Sequence, residues 1–325
     1  MTEPLKNAFL FSGQGSQYYQ MGAGLFDTHP GFQARMREMD EVAVELLGFS
    51  VLSRIYDPSR KKSDAFDQTA PAGIAIFMVE HALVQVLEDA GITPDVVIGT
   101  SLGMFAAACS AGCLGMRQAM EMIVEQSRIL EQHCPKGCML AVFANPALHK
   151  QKPQLRDHAD LAGVNFDSHF AISAPDGSLP AAEEFLQREN IGFSRLAVTL
   201  PFHSRWMDGA QAEMLARFER HAYRPPERQL VCCATAGPLA ALSAQALWHV
   251  VRQPIWFQRT IAALEAAGPL RYIDAGPSGT LATFLKYALP KATSSQFHPI
   301  LTPFGNDRSR LDAFVARMGE APRCR

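Results

Sequence analysis

Asp95-Val-Val-Ile-Gly-Thr-Ser-Leu-Gly103 is the stretch on which the reading of this chain turns. Residues 96–98 are a β-branched run suited to a buried strand. A Gly-x-Ser-x-Gly turn follows at Gly99-Thr-Ser-Leu-Gly103, and then an apolar, helix-like stretch. In that setting a serine sits on a strained strand-to-helix corner, its Oγ exposed and the N–H groups of the helix start close by. Glycines flank it because a Cβ would block the tight crossing. Ser101 is therefore the expected nucleophile.

Working outward, Ala8-Phe-Leu-Phe11 reads as a short strand that ends in a glycine-punctuated loop, Ser12-Gly-Gln-Gly-Ser-Gln17. Residues 30–48 carry the apolar spacing of an amphipathic helix. Residues 72–90 form a long helix with Pro71 at its start. Gly91-Ile-Thr-Pro94 then turns the chain into the nucleophile strand. Strand, helix, strand, helix in this order predicts a parallel α/β sheet. From about residue 138 the texture changes to short strands (139–143, 170–173, 193–199) around a helix at 181–189, which predicts a small inserted α+β unit. Helical pattern returns at 207–222, and Tyr272-Ile-Asp-Ala-Gly-Pro-Ser-Gly279 reads as a strand entering a turn and a helix. The stretch 319–325 reads as a tail without a function.

Of the 325 residues 48% are hydrophobic and 19% charged, and the net charge is −2. No global basic field argues for nucleic acid. No cationic leader opens the sequence, and seven cysteines, an odd number, read as reduced thiols of a cytoplasmic protein. Residues 96–116 carry no charge and could span a bilayer by length, but their glycines and hydroxyls break them into strand, turn and buried helix. No membrane contact is expected. Cys109 with Cys113, and Cys134 with Cys138 near His133, have spacings that zinc sites use. Cys109 and Cys113 fall one turn apart on an apolar helix, where cysteine is a small hydrophobe, so no metal is expected.

Phe11-Ser-Gly-Gln-Gly-Ser-Gln17, Gly99-Thr-Ser-Leu-Gly103, Pro201-Phe-His-Ser204 and Asp274-Ala-Gly-Pro-Ser-Gly279 occur in a fixed order. That order resembles the malonyl-CoA:acyl-carrier-protein transacylase family, from about residue 8 to about 305. The resemblance implies a large α/β-hydrolase-like subdomain with a parallel sheet (1–137 and 200–318) and a small ferredoxin-like α+β subdomain (138–199). Ser101 would be acylated, and His203 would be its general base and then the acid for the leaving thiol. The carbonyl of Gln253 would orient His203, and the N–H groups of Gln14 and Leu102 would form the oxyanion hole. Asn165 matches a family asparagine near the histidine. Asp274 reads as structural. No bound cofactor is implied; phosphopantetheine arrives with the substrate, on an acyl carrier protein or on CoA.

Departures from the family point to the substrate. Malonyl enzymes resembling this chain carry an arginine on the helix after the nucleophile turn, where it grips the malonyl carboxylate. Here Gln126 holds that position, and Arg128 lies about 200° further round the helix. An amide cannot balance a carboxylate, and an unbalanced one in a dry pocket costs several kcal/mol. Thr100 replaces a histidine, Met104 an acidic residue, Ala70 a glutamine and Pro201 an alanine, while Phe202 keeps the malonyl-type pattern. A neutral acyl pocket over an intact Ser-His pair resembles the stand-alone acyl hydrolases of trans-acyltransferase polyketide synthases, which release stalled acyl groups from carrier proteins. Acyl transfer, of malonyl or of a neutral starter, and a non-catalytic carrier-binding module are the alternatives. Carrier proteins are usually acidic; Arg205 and Lys286 lie near the motifs but read as solvated surface.

Overall fold

The computed structural model describes residues 5–320. Its ten strands are β1 (Lys6–Phe11), β2 (Val96–Gly99), β3 (Gly137–Val142), β4 (Asp160–Phe166), β5 (His169–Pro175), β6 (Phe193–Arg195), β7 (Gln229–Cys232), β8 (Gly237–Pro238), β9 (Leu270–Asp274) and β10 (Gln296–Pro299). They form a six-stranded sheet in the order β10-β9-β1-β2-β7-β8 and a four-stranded sheet in the order β4-β5-β3-β6. In the large sheet every pairing is parallel except β7 with β8. Both faces of this sheet are covered. In β1, Ala8 and Leu10 enter one apolar core while Phe9 and Phe11 enter the other, the period-two alternation of a strand sandwiched between helical layers. From β1 the chain moves to β2 and β7 on one side and later returns to β9 and β10 on the other. That reversal beside β1 opens a crevice at the carboxyl ends of the strands, where ligands bind in open α/β sheets.

The small sheet is antiparallel throughout. With helices Ala147–Gln151 and Pro153–Arg156 between β3 and β4, and Leu179–Arg188 between β5 and β6, its path is the βαββαβ of a ferredoxin-like unit. An isolated parallel bridge between Gly163 and Ile255 ties β4 to the large subdomain.

Several elements differ from their sequence reading for identifiable reasons. The long helix runs Thr69–Asp89, so Pro71 lies inside the first turn, where its missing N–H is no loss. It is long and apolar enough to cross a membrane, yet 83% of its most apolar stretch is buried inside the fold. The strand expected at 193–199 ends at Arg195. The helix expected over 207–222 splits into a 3₁₀ turn, Arg205–Ala210, and a helix, Gln211–Phe218. β4 escaped notice because register shifts between Leu161 and Gly163 and between Val164 and Phe166 interrupt its alternation. Residues 319 and 320 close the last helix, Asp307–Glu320; the rest of the proposed tail lies outside the described residues.

At the nucleophile turn the chain has no spare room. A Cβ on Gly103 would lie 2.3 Å from the Phe11 carbonyl oxygen, and backbone cannot give way as a side chain end can. Gly103→Ala is expected to destabilise the fold by about 3 kcal/mol or more, which for a chain of this size lowers Tm by about 4 °C or more. An unchanged Tm in a thermal melt would contradict this packing.

Candidate active site

The loop after β1 is pinned from three sides. Glu80 accepts a hydrogen bond from the Ser12 N–H. Gln14 Nε2 donates to the Thr69 carbonyl at 2.7 Å. Gln17 accepts from the Gly15 N–H at 2.6 Å and donates to the Phe66 and Ala197 carbonyls, each at 2.8 Å. The loop lies hard against the nucleophile, since a Cβ on Gly13 would meet Ser101 Cβ at 2.6 Å. The Gln14 N–H meets no acceptor among the described residues, so a hydrogen-bond donor is held ready beside Ser101.

Ser101 opens a 3₁₀ turn, Ser101–Gly103, that leads into the helix Met104–Ser110. Its φ is +55°, and that of His203 is +59°. Both are non-glycine residues in the left-handed region, a strain that persists where the surroundings over-determine it. Ser101 Oγ lies 2.9 Å from His203 Nε2, and His203 Nδ1 lies 2.9 Å from the Gln253 carbonyl oxygen. A carbonyl only accepts, so Nδ1 carries the proton and Nε2 offers its lone pair to the Ser101 O–H. Ser101 and His203 are thus positioned as a catalytic dyad. His203 is 2% exposed. Burial pushes its pKa down to about 4, partly offset by the Gln253 hydrogen bond.

Asp274 takes no part in this pair. Its carboxylate accepts from the Gly276 and Ala282 N–H groups at 2.9 and 2.8 Å and caps the helix Thr280–Ala288, the structural role read from the sequence.

A cavity of about 280 Å³ opens over the dyad between the two subdomains. Gln14, Thr100, Ser101, Asn165, Phe202 and His203 line it on the expected side. Met139, Ala141, Phe143, Leu196 and Phe284 give it an apolar wall. Behind Ser101 lies a second chamber of about 10 Å³, room for about one water. Its walls include Gln14, Leu102, Phe105, Gln126, Phe202 and Val251. Among the described residues, no Lys, Arg, Asp or Glu lines either space. Gln126 is 7% exposed. Arg128 leaves on another face of the helix Met116–His133, where its Nη2 donates to the Leu46 carbonyl at 2.9 Å.

Three expected pocket residues fall elsewhere, among them Pro201, which lines neither space and packs beside Gly137. Met104 is fully buried and packs its Cε under Gly99, because the first residue of its helix faces the core; it lines neither space. Ala70 lines neither space as well. One turn on, Gly73 holds the place beside the site, since a Cβ there would sit 3.5 Å from both Gln14 Nε2 and Leu102 Cδ1.

His169 is the residue that sequence reasoning missed. It lines the large cavity, and Asn165 Nδ2 donates to its Nδ1 at 2.9 Å across the β4–β5 hairpin. Phe143, Phe166 and Phe284 surround its ring, and burial lowers its pKa, so it adds no positive charge at neutral pH. No motif surrounds it in the sequence, and only the hairpin brings it to Asn165.

The six described cysteines are free, and Cys134 and Cys138 point their thiols at the separate carbonyls of Met207 and Leu196. Arg205 pairs with Asp160 and lies over the Trp206 ring, while Lys286 lies over Tyr287.

Comparison with known proteins gives this arrangement relatives. The family described as acyl transferase domain matches residues 8–321. The polyketide biosynthesis acyltransferase homolog BaeD of Bacillus velezensis is 39% identical, over 96% of this chain and 95% of its own length. The homolog PksD of Bacillus subtilis is 38% identical over 96% of each chain. Among solved structures, the acyltransferase domain of the second salinomycin polyketide synthase module superposes with a TM-score of 0.84 at 26% identity, covering 98% of this chain and 74% of that one. The MCAT of Streptococcus pneumoniae superposes at 0.77 with 25% identity, over 96% of this chain and 100% of the other.

Proposed function

The chain belongs to the acyl transferase domain family, and from that premise we propose that it lifts uncharged acyl groups from phosphopantetheine thioesters onto Ser101 and releases them to water. One observation carries the selectivity: among the described residues no Lys, Arg, Asp or Glu lines either space around Ser101. In the proposed first step Ser101 Oγ attacks the thioester carbonyl carbon while His203 Nε2 takes its proton. The N–H groups of Gln14 and Leu102 hold the oxyanion, each donor of this kind being worth about 2.7–4 kcal/mol. The tetrahedral intermediate collapses, the C–S bond breaks, and His203 returns the proton to the pantetheine sulfur. Water then attacks the serine ester, His203 takes its proton, and the proton passes to Ser101 Oγ as the free acid leaves. Gln253 keeps His203 in the tautomer that both steps need.

Thr100, Phe202, Asn165 and Gln126 shape the acyl end of the site in this reading. A malonyl carboxylate would meet the Gln126 amide and no counter-charge. Each 1.4 kcal/mol of that deficit is about tenfold in affinity. The names of the relatives place them in polyketide biosynthesis, and we assign this chain to the same kind of pathway, in the cytoplasm, with acyl carrier proteins as partners. The second reading, transfer of the Ser101-bound acyl group to another thiol, is the one the comparisons support better: the matching family is described as acyl transferase domain, and the relatives and solved structures are named acyltransferases or MCAT.

The decisive experiment incubates the protein with acetyl-, butyryl- and malonyl-loaded carrier protein and with malonyl-CoA, and follows intact mass. Free holo-carrier from the neutral chains is expected. Malonyl moving onto fresh holo-carrier would replace hydrolysis by transfer, and inert mixtures would leave only a carrier-binding module. Gln126→Arg supplies the missing cation and should raise malonyl loading of Ser101 by about tenfold or more. Indifference to that change would remove the case for selectivity.

A further inference from the structure

Glu80 is a buried acid that the chemistry above does not use. It sits 0% exposed in the apolar helix Thr69–Asp89, among Ile76, Phe77, Val79 and Leu83. Its Oε1 accepts from the Ser12 N–H at 2.6 Å and from Ser12 Oγ at 2.9 Å, while Oε2 is buried with no partner. Asp274, 1% exposed, lies alongside. The point where a Gly276 Cβ would sit is 2.5 Å from Ser12 Oγ and 3.0 Å from Asp274 Oδ1. Two buried carboxyls so placed resist being charged together. Asp274 has backbone N–H groups at a helix start to hold its charge. Glu80 has no ion-pair partner among the described residues, and burial raises its pKa well above the usual carboxylate range. Glu80 is therefore the neutral member of the pair. An apolar side chain of its size would avoid the orphaned Oε2, so packing alone does not account for an acid here.

What the acid does is visible in its bonds. β1 ends at Phe11, and the Ser12 N–H is the first backbone donor beyond it. Glu80 takes that donor and also holds Ser12 Oγ. Ser12 Oγ lies 2.9 Å from Ser16 Oγ, which donates to the Gly13 carbonyl at 2.8 Å. The network therefore grips the loop on both sides of Gln14. We propose that Glu80 is a positioning residue that, through Ser12 and Ser16, fixes the Gln14 N–H at the oxyanion position; the role rests on the acyl-enzyme mechanism above.

The test is single-turnover acylation of Ser101 by acetyl-loaded carrier protein, read by quenched intact mass. Glu80→Met fills the volume and removes the acceptor. Its acylation rate constant is expected to fall about 10- to 100-fold, with half-saturation within about twofold of wild type and a Tm lower by a few degrees, because the buried Ser12 N–H loses its acceptor. Glu80→Gln keeps a carbonyl oxygen for both Ser12 bonds and should retain the rate to within about threefold. A wild-type rate in Glu80→Met, a defect confined to half-saturation, or a Glu80→Gln protein as slow as Glu80→Met would each overturn the role. Should Glu80→Met fail to fold, Ser12→Ala deletes the Oγ links while keeping the backbone bond. A loss of about fivefold is expected there, and a wild-type rate overturns the proposal. Wild-type protein that forms no acyl-enzyme would sink the mechanism itself; equal bursts from wild type and Glu80→Met would sink only the role of Glu80.

Discussion

Ser101→Ala is expected to abolish the covalent acyl-enzyme and to lower turnover of every acyl-loaded carrier protein by on the order of 10⁴-fold or more. The oxygen 2.9 Å from His203 Nε2 is the atom that would carry the acyl group in hydrolysis and in transfer alike. With it gone, the N–H groups of the loop and turn can still polarise a carbonyl, so a small residual rate over water is expected. The fold should persist, because the left-handed φ of +55° strains alanine no more than serine. Intact mass after incubation with acetyl-carrier decides the matter. A persisting acyl adduct would move the nucleophile elsewhere.

His203→Ala should cost a similar factor, while Gln253, which offers only its backbone carbonyl, should tolerate side-chain replacement. Behind its imidazole the dyad has the Gln253 carbonyl and, among the described residues, no carboxylate. Its histidine is kept neutral by burial, with a pKa pushed down to about 4. A general base must be unprotonated, so the base form is present above that value and is lost only as pH falls through it. The acid limb of kcat/KM is therefore expected near pH 4, whereas an exposed histidine would place it near about 6.5. A pH–rate profile between pH 4 and pH 8 checks the sign directly; a limb near 6.5 would show that His203 is solvated in the working enzyme.

The reading of residues 95–103 succeeded because every local cause agreed there. Val96–Gly99 is a buried strand, the flanking glycines face backbone or packed side chain where a Cβ would collide, and the helix begins where the apolar run begins. The loop at 12–17 was legible for the same reason, although its anchors were not: Thr69, Phe66, Ala197 and Glu80 are far away in sequence. Gln126 lies on the helix Met116–His133 and lines the small chamber behind Ser101, not the large cavity. The motif match failed at Ala70, where a helix that begins at Thr69 presents Gly73 to Gln14. Met104 failed for a related reason, since spacing from the serine does not say which face of a short helix meets the core.

By itself the sequence determined the local devices: a serine on a strained turn between strand and helix, a glycine-rich loop and an alternating βα order that commits the chain to a parallel sheet. These depend on backbone sterics and side-chain periodicity within a few residues, so neighbours in the chain suffice to specify them. Only the tertiary structure decided what those devices face. The approach of His203 to Ser101, the carbonyl of Gln253 behind it, the pairing of His169 with Asn165 and the grip of Glu80 on Ser12 all join residues from different strands and helices. Their geometry follows from strand order and helix packing, which fix distances that no local stretch encodes, and the same packing buries His203 and Glu80, pushing the histidine's pKa down and the acid's up.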